Sequence, residues 1–186
     1  MSLISRKKLL TYRKEILKKI LAKLFPNSRW GEDYYKIGSN VTYKEGGFVA
    51  SAKNRYEFAA NIYYEASGLK EMINEQLEEN IPLKKALEIG CGYGRLTPWI
   101  GEFSDETYGI DPNNHAIKQA QIEYPGIQFE VGSATDLPYP DNSFELIVTW
   151  TVLQHISPEH ILKVASEIKR VLEDQGYLFV CEKMMG

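Results

Sequence analysis

From residue 84 onward, short apolar β-branched runs alternate with stretches of helical period, and this alternation constrains the fold more than any other feature. Strands that must connect through helices pair in parallel, because a parallel neighbour needs a long crossover while an antiparallel one needs only a tight turn. The runs are KKALEIG (84–90), TYGID (107–111), IQFEV (127–131), FELIVTW (144–150) and YLFVCEK (177–183), the last entered through a turn at Gly176. FELIVTW is nearly all apolar, as a central strand covered on both faces should be. Helices are predicted between the runs. One spans 95–101 and opens directly from a glycine-rich loop; a second has Asp111 as N-cap and Pro112 at its first position and runs to about Tyr124. Ser157-Pro158-Glu159 opens a third, with Ile161, Leu162, Val164, Ala165, Ile168, Val171 and Leu172 as its buried stripe. The expected fold class is α/β, an open twisted, mainly parallel sheet. Such sheets bind ligands outside the carboxyl ends of the strands, where strand order reverses.

The first part of the chain differs in texture. Residues 5–25 place Leu9, Leu10, Ile16, Leu17, Ile20, Leu21, Leu24 and Phe25 on one helical face. The same segment carries eight basic residues against one acid, Glu15, although the whole chain has a net charge of −3. A basic amphipathic helix of this kind suits a membrane surface or RNA, or docks by its apolar face with its lysines solvated; the acidity of the remaining chain favours docking. Residues 27–54 are rich in aromatics and glycine without a clear period, and a helical stretch over about 55–79 is predicted to divide at Gly68. The expected organisation is therefore 1–80, helices and an aromatic-rich lid segment, followed by a ligand-binding core over 81–186.

Composition closes several alternatives. A chain with 44% hydrophobic and 25% charged residues is ordinary globular material. Cys91 and Cys181 lie far apart without metal-ligand spacing, so neither a disulfide framework nor a metal site is expected, and a reducing, cytoplasmic setting fits. No apolar run is long enough to span a bilayer.

The chemistry is concentrated in Glu88-Ile89-Gly90-Cys91-Gly92-Tyr93-Gly94-Arg95, at a strand-to-helix junction. Small residues there let the backbone turn sharply and let a ligand approach closely. The dinucleotide fingerprint G-x-G-x-x-G requires glycine at position 95, where this chain has Arg. The E-x-G-x-G-x-G arrangement instead resembles the first motif of class I, Rossmann-like S-adenosylmethionine-dependent methyltransferases, in particular the small-molecule methyltransferase type 11 group. Tyr139-Pro140-Asp141-Asn142-Ser143-Phe144, Leu153-Gln154-His155-Ile156 and the helix ending Arg170-Val171-Leu172 extend the resemblance over about 84–183.

The resemblance implies S-adenosylmethionine as cofactor, with Glu88, Gly90, Cys91, Gly92, Gly94 and Arg95 at its methionine end. Asp111 ends the second strand 21 residues after Gly90, a distance at which a carboxylate accepts both ribose hydroxyls, with Pro112 following it. In the segment Gly132-Ser133-Ala134-Thr135-Asp136-Leu137-Pro138, Asp136 takes the adenine-amino position and Ala134 and Thr135 flank the ring; the family often has Asp where Ser133 stands. Thr149 and Trp150 end the fourth strand beside the cofactor position, where Trp150 either lines the pocket or packs on the following helix. Arg95 pairs either with the cofactor carboxylate or with Glu88 or another local acid. His155 is the candidate general base, since neutral imidazole works near pH 7. Tyr34, Tyr35 and Tyr43 are lid candidates.

The implied reaction transfers a methyl group to a small-molecule acceptor, without a metal and with no strong nucleic-acid signal. A non-catalytic or regulatory domain of the same fold is the alternative, with a nicotinamide-dependent oxidoreductase behind it. Members of the family continue past the fifth strand with a helix and two further strands. The expectation for this chain is a sheet lacking those two strands, its fifth strand an edge unless something covers it; an excised piece of a longer protein, a pairing across a homodimer and a shortened protein are the three explanations open.

Overall fold

The structure, a computed structural model, describes residues 55–77 and 82–182. The amphipathic segment 5–25, the lid tyrosines Tyr34, Tyr35 and Tyr43, and Lys183 lie outside the described residues. Two compact units divide the chain, Met1–Leu69 and Lys70–Gly186.

Helix α1 (Arg55–Leu77) buries Ile62, Ala66, Leu69, Ile73 and Leu77, spaced three and four residues apart along one stripe. It runs unbroken through Gly68, where division was expected. An isolated glycine costs a helix only about 1 kcal/mol, and this stripe continues past it on both sides.

Five parallel strands form one sheet in the order β3-β2-β1-β4-β5: β1 (Leu83–Ile89), β2 (Ser104–Asp111), β3 (Gln128–Val131), β4 (Phe144–Trp150) and β5 (Leu172–Cys181). Strand order reverses between β1 and β4, where Ile89 pairs with Thr149, and the carboxyl ends of these strands bound a crevice. Leu87, Ile89, Ile110, Phe144 and Ile147 pack with Val164, Ile168 and Val171 of α4 (Ile161–Val171) on one face. Alternation along the strands sends Phe129 to the other face, against Ile117 and Ala120 of α3 (Asn114–Glu123).

Local chemistry moved several boundaries. The helix expected over 95–101 shrinks to α2 (Thr97–Ile100), followed by a single 3₁₀ turn, Gly101–Phe103. Pro98 offers no N–H, and Gly94 is first tied back to Cys91 by an N–H···O bond of 2.9 Å, so the helix does not open from the glycine loop. Asp111 and Pro112 precede α3 rather than start it. Asn113 is the N-cap, and its side chain accepts from the His115 and Ala116 amides. The Ser157 segment makes a turn closed by His160 N–H to Ser157 O, so α4 begins at Ile161. On α4 the expected stripe is too wide: Val164, Ile168 and Val171 are buried, whereas Ala165 is exposed and Leu162 is 80% exposed. Finally, β5 starts at Leu172, directly opposite Phe144, and shifts register before Tyr177 pairs with Leu146, so Gly176 lies within the strand.

Candidate cofactor site

Three loops meet at the carboxyl ends of the central strands. The first follows β1. Gly90, Gly92 and Gly94 all have φ between +54° and +74°, the left-handed region that side-chain-bearing residues avoid. Gly90 and Cys91 amides both donate to Ile110 O, at 2.8 and 3.2 Å, which stitches the loop to the end of β2. A Cβ placed on Gly90 would stand 2.3 Å from Val152 Cγ2, whereas one on Gly92 would meet nothing within 4 Å. The loop is thus closed against its neighbour at Gly90 and open to a ligand at Gly92. Gly94 packs on the Phe129 ring.

Cys91 contributes backbone to this loop and turns its side chain into the core with Ile117, Ala120 and Phe129. Burial pushes its thiol well above the ordinary cysteine range. Glu88, at 3% exposure, lies beneath the loop with its carboxylate accepting from the Thr97 hydroxyl. Its pKa is raised to about 7, because burial outweighs the Thr97 bond and the nearby Arg95 charge.

The second loop follows β2. Asp111 Oδ2 accepts from the Gly92 amide at 3.0 Å, and Oδ1 accepts from the Asn113 amide at 2.8 Å. These bonds fix the carboxylate at the crevice edge. An ionised carboxylate offers about four acceptor positions, so two amides leave capacity for a vicinal diol. Burial raises the Asp111 pKa, and the two amide bonds oppose that shift. Pro112 is exposed beside it.

The third wall comes from the segments after β3 and β4. The Ser133 hydroxyl bonds Thr135 Oγ1 at 2.8 Å and accepts from the Thr135 amide, while the Asp136 amide closes the turn on Ser133 O at 3.0 Å. Serine therefore makes the local turn contacts where the family often has Asp. Ala134 is buried and Asp136 exposed. Arg170 of α4 holds the far side of this segment, donating to Leu137 O and Tyr139 O while paired with Glu167 and Asp141. Thr149 is buried at the end of β4, Trp150 is half-buried, and His155 is exposed with its Nε2 atom 3.1 Å from Gln154 Nε2.

The glycine loop, Asp111 and the residues ending β4 therefore gather at one end of the sheet. Sequence reasoning missed Thr97, Asn113, Arg170 as an anchor and Glu182, whose partners are distant in sequence or hidden among ordinary polar residues. Only Asn113, a good capping residue just ahead of a helical run, carried a readable signal.

Known proteins resemble this chain in sequence and in fold. A family model described as a methyltransferase domain matches residues 87–180, half of the chain. An uncharacterized methyltransferase of Synechocystis sp. is 30% identical over 95 residues, covering 51% of this chain and 45% of that protein. A probable S-adenosylmethionine-dependent methyltransferase of Mycolicibacterium smegmatis is 26% identical, covering 59% of this chain and 42% of its own. The chain thus spans less than half the length of these relatives. The solved structure of an S-adenosylmethionine-bound amino pentose methyltransferase from Micromonospora echinaspora superposes with a TM-score of 0.59 at 15% identity, covering 73% of this chain and 59% of that one, which is a likeness of fold. The match sides with methyl transfer over the nicotinamide reading of the glycine loop. Spanning the strands and loops that build the crevice, it makes this chain a member of the methyltransferase-domain family, the S-adenosylmethionine-dependent methyltransferases of Rossmann-like fold.

Proposed function

We propose that the protein transfers a methyl group from S-adenosylmethionine to a small-molecule acceptor, with the cofactor lying across the carboxyl ends of β2, β1 and β4. The observation that carries this reading is the Asp111 carboxylate, held by the Gly92 and Asn113 amides with acceptor capacity to spare beside the open face of Gly92. In this reading Asp111 takes the ribose hydroxyls, and Gly90, Cys91, Gly92 and Gly94 present backbone to the methionine end. Arg95 and the buried Glu88 set the charge beneath that loop. Pro112, Ala134 and Thr135 border the adenine, with Asp136 accepting from its amino group. Thr149 and Trp150 close the β4 side.

When bound, the cofactor supplies an electrophilic methyl group on a cationic sulfur. The chain's own contribution is to orient the acceptor and exclude water, and aromatic faces such as Trp150 suit the positive charge. His155, exposed in the loop after β4, takes the acceptor's proton where the acceptor carries one. The two free cysteines, Cys91 and Cys181, are consistent with a cytoplasmic setting, and the β5 edge offers a second copy a place to pair.

Calorimetric titration with S-adenosylhomocysteine tests the reading without knowledge of the acceptor. Saturable one-site binding is expected, weakened on the order of a hundredfold in Asp111→Ala, which removes charged hydrogen bonds to the ribose. A folded wild-type chain that binds nothing would overturn it. Binding without turnover across a broad acceptor panel would favour a non-catalytic domain.

A further inference from the structure

Glu182 stands immediately beyond the end of β5, and its carboxylate reaches across to the loop that follows β4. Oε1 accepts from the Val152 and Leu153 amides, both at 3.0 Å, and Oε2 accepts from the Gln154 amide at 3.3 Å. The Thr149 hydroxyl approaches Oε1 at 3.5 Å. These amides lead into the 3₁₀ turn Leu153–His155, which has no capping side chain of its own at Val152. Leading amides of such a turn have no partners within it, so a carboxylate from a distant strand does the work of a cap. The same loop carries a second tie and a strained residue. Thr151 has φ +57°, and its amide donates to Cys181 O at 2.7 Å. A β-branched residue in the left-handed region persists only where its surroundings hold it there.

The held loop bears directly on the glycine loop. Val152, whose amide Glu182 binds, is the side chain that a Cβ at Gly90 would strike. A connected path therefore runs from the Glu182 carboxylate through Val152 to the backbone of Gly90.

We propose that Glu182 is a positioning residue that locks the loop after β4 against the glycine loop, so that the two present one fixed wall to the cofactor. The role rests on the reading of this crevice as the cofactor site. In this role Glu182 acts through three backbone amides.

Residue-resolved amide hydrogen exchange and S-adenosylhomocysteine titration, measured on the same samples well below the melting transition, test it. In Glu182→Ala, exchange at Val152, Leu153 and Gln154 should accelerate, and affinity should fall roughly tenfold or more, the scale of lost charge-assisted hydrogen bonds. Glu182→Gln keeps the side-chain volume and one acceptor oxygen, and should fall between wild type and Glu182→Ala on both readouts; it decides the matter if Glu182→Ala does not fold. Leu178→Ala, elsewhere on β5, should leave affinity unchanged, which separates positioning from general weakening of the strand. Unchanged exchange at the three amides, or faster exchange with undiminished affinity, overturns the proposal. A wild-type chain that binds no S-adenosylhomocysteine overturns the cofactor reading itself and this role with it, an outcome recognisable because wild type fails and not only the variants.

Discussion

Glu88 carries a carboxyl whose protonation changes near neutrality, and the sign of its effect on stability follows from where the proton sits. The folded state keeps the proton up to about pH 7, while an exposed carboxyl of this type releases it near 4.5. Between those values the folded protein binds more protons than the unfolded chain. Stability from this group is therefore full below 4.5 and is lost as pH rises through 7, by an amount on the order of 3 kcal/mol. Glu88→Gln keeps an acceptor for Thr97 and removes the titration. Urea unfolding at about pH 5 and about pH 8 should show wild type losing stability with rising pH and the variant nearly flat over the same interval. Parallel curves for the two proteins would assign the pH dependence elsewhere. At this scale the sequence marked Glu88 by its place two residues before Gly90, but its burial and its bond to Thr97 depend on how α2 packs beneath the loop. Asp111 was legible as the acid closing the second strand. Its two amide donors were not, because one of them, Gly92, belongs to a different loop.

Among the elements, α4 does more than cover the sheet. Its Arg170 donates to the carbonyls of Leu137 and Tyr139 and pairs with Asp141 and Glu167, while Glu167 also accepts from the Leu137 amide at 2.8 Å. Arg170 therefore holds Glu167 low, at a pKa of about 2, through its hydrogen bonds, with help from the Leu137 amide. The helix thus pins the segment between β3 and β4 that carries Ala134, Thr135 and Asp136. Arg170→Met retains much of the side chain's length and removes the fork. Amide exchange at Leu137, Asp141 and their neighbours should rise about tenfold or more, with β1 and β2 amides unchanged. No change in that segment would show that its turn contacts at Ser133 suffice. In sequence, Arg170-Val171-Leu172 read only as a helix ending. A guanidinium with five donors in a fixed fork gains meaning when two carbonyls lie within its reach, and those carbonyls stand about thirty residues away.

Across the whole molecule, stability is concentrated where the central strands are covered on both faces. Phe144 is 1% exposed and meets the Tyr108 and Tyr139 rings edge-on at 5.3 and 4.9 Å between centroids. Phe144→Ala should cost about 3–5 kcal/mol of unfolding free energy, since the cavity it leaves is bounded by rigid strands and rings. Leu162→Ala, on the exposed side of α4, should lie within about 0.5 kcal/mol of wild type. Denaturant titration of both variants checks the contrast; a large loss at Leu162 would mean that something covers α4 in solution. The helical period alone gave Leu162 the same standing as Val164 and Ile168, because a stripe read from sequence is wider than the face a neighbouring sheet buries.

What the sequence by itself determined is the parallel α/β architecture and the methyltransferase family. Strand runs, glycine spacing and the acid ending β2 are local signals, written within a few residues of where they act. Helix ends were less legible, since Pro98 by its missing N–H, and Asn113 and the turn at Ser157 by their own hydrogen bonds, shift each start by a few residues. Only the tertiary structure decided which side chains hold the crevice in shape. Glu182, Arg170 and Thr97 act across sequence separations of 9 to 33 residues. Parallel strands bring such distant positions side by side, and no local pattern encodes the meeting.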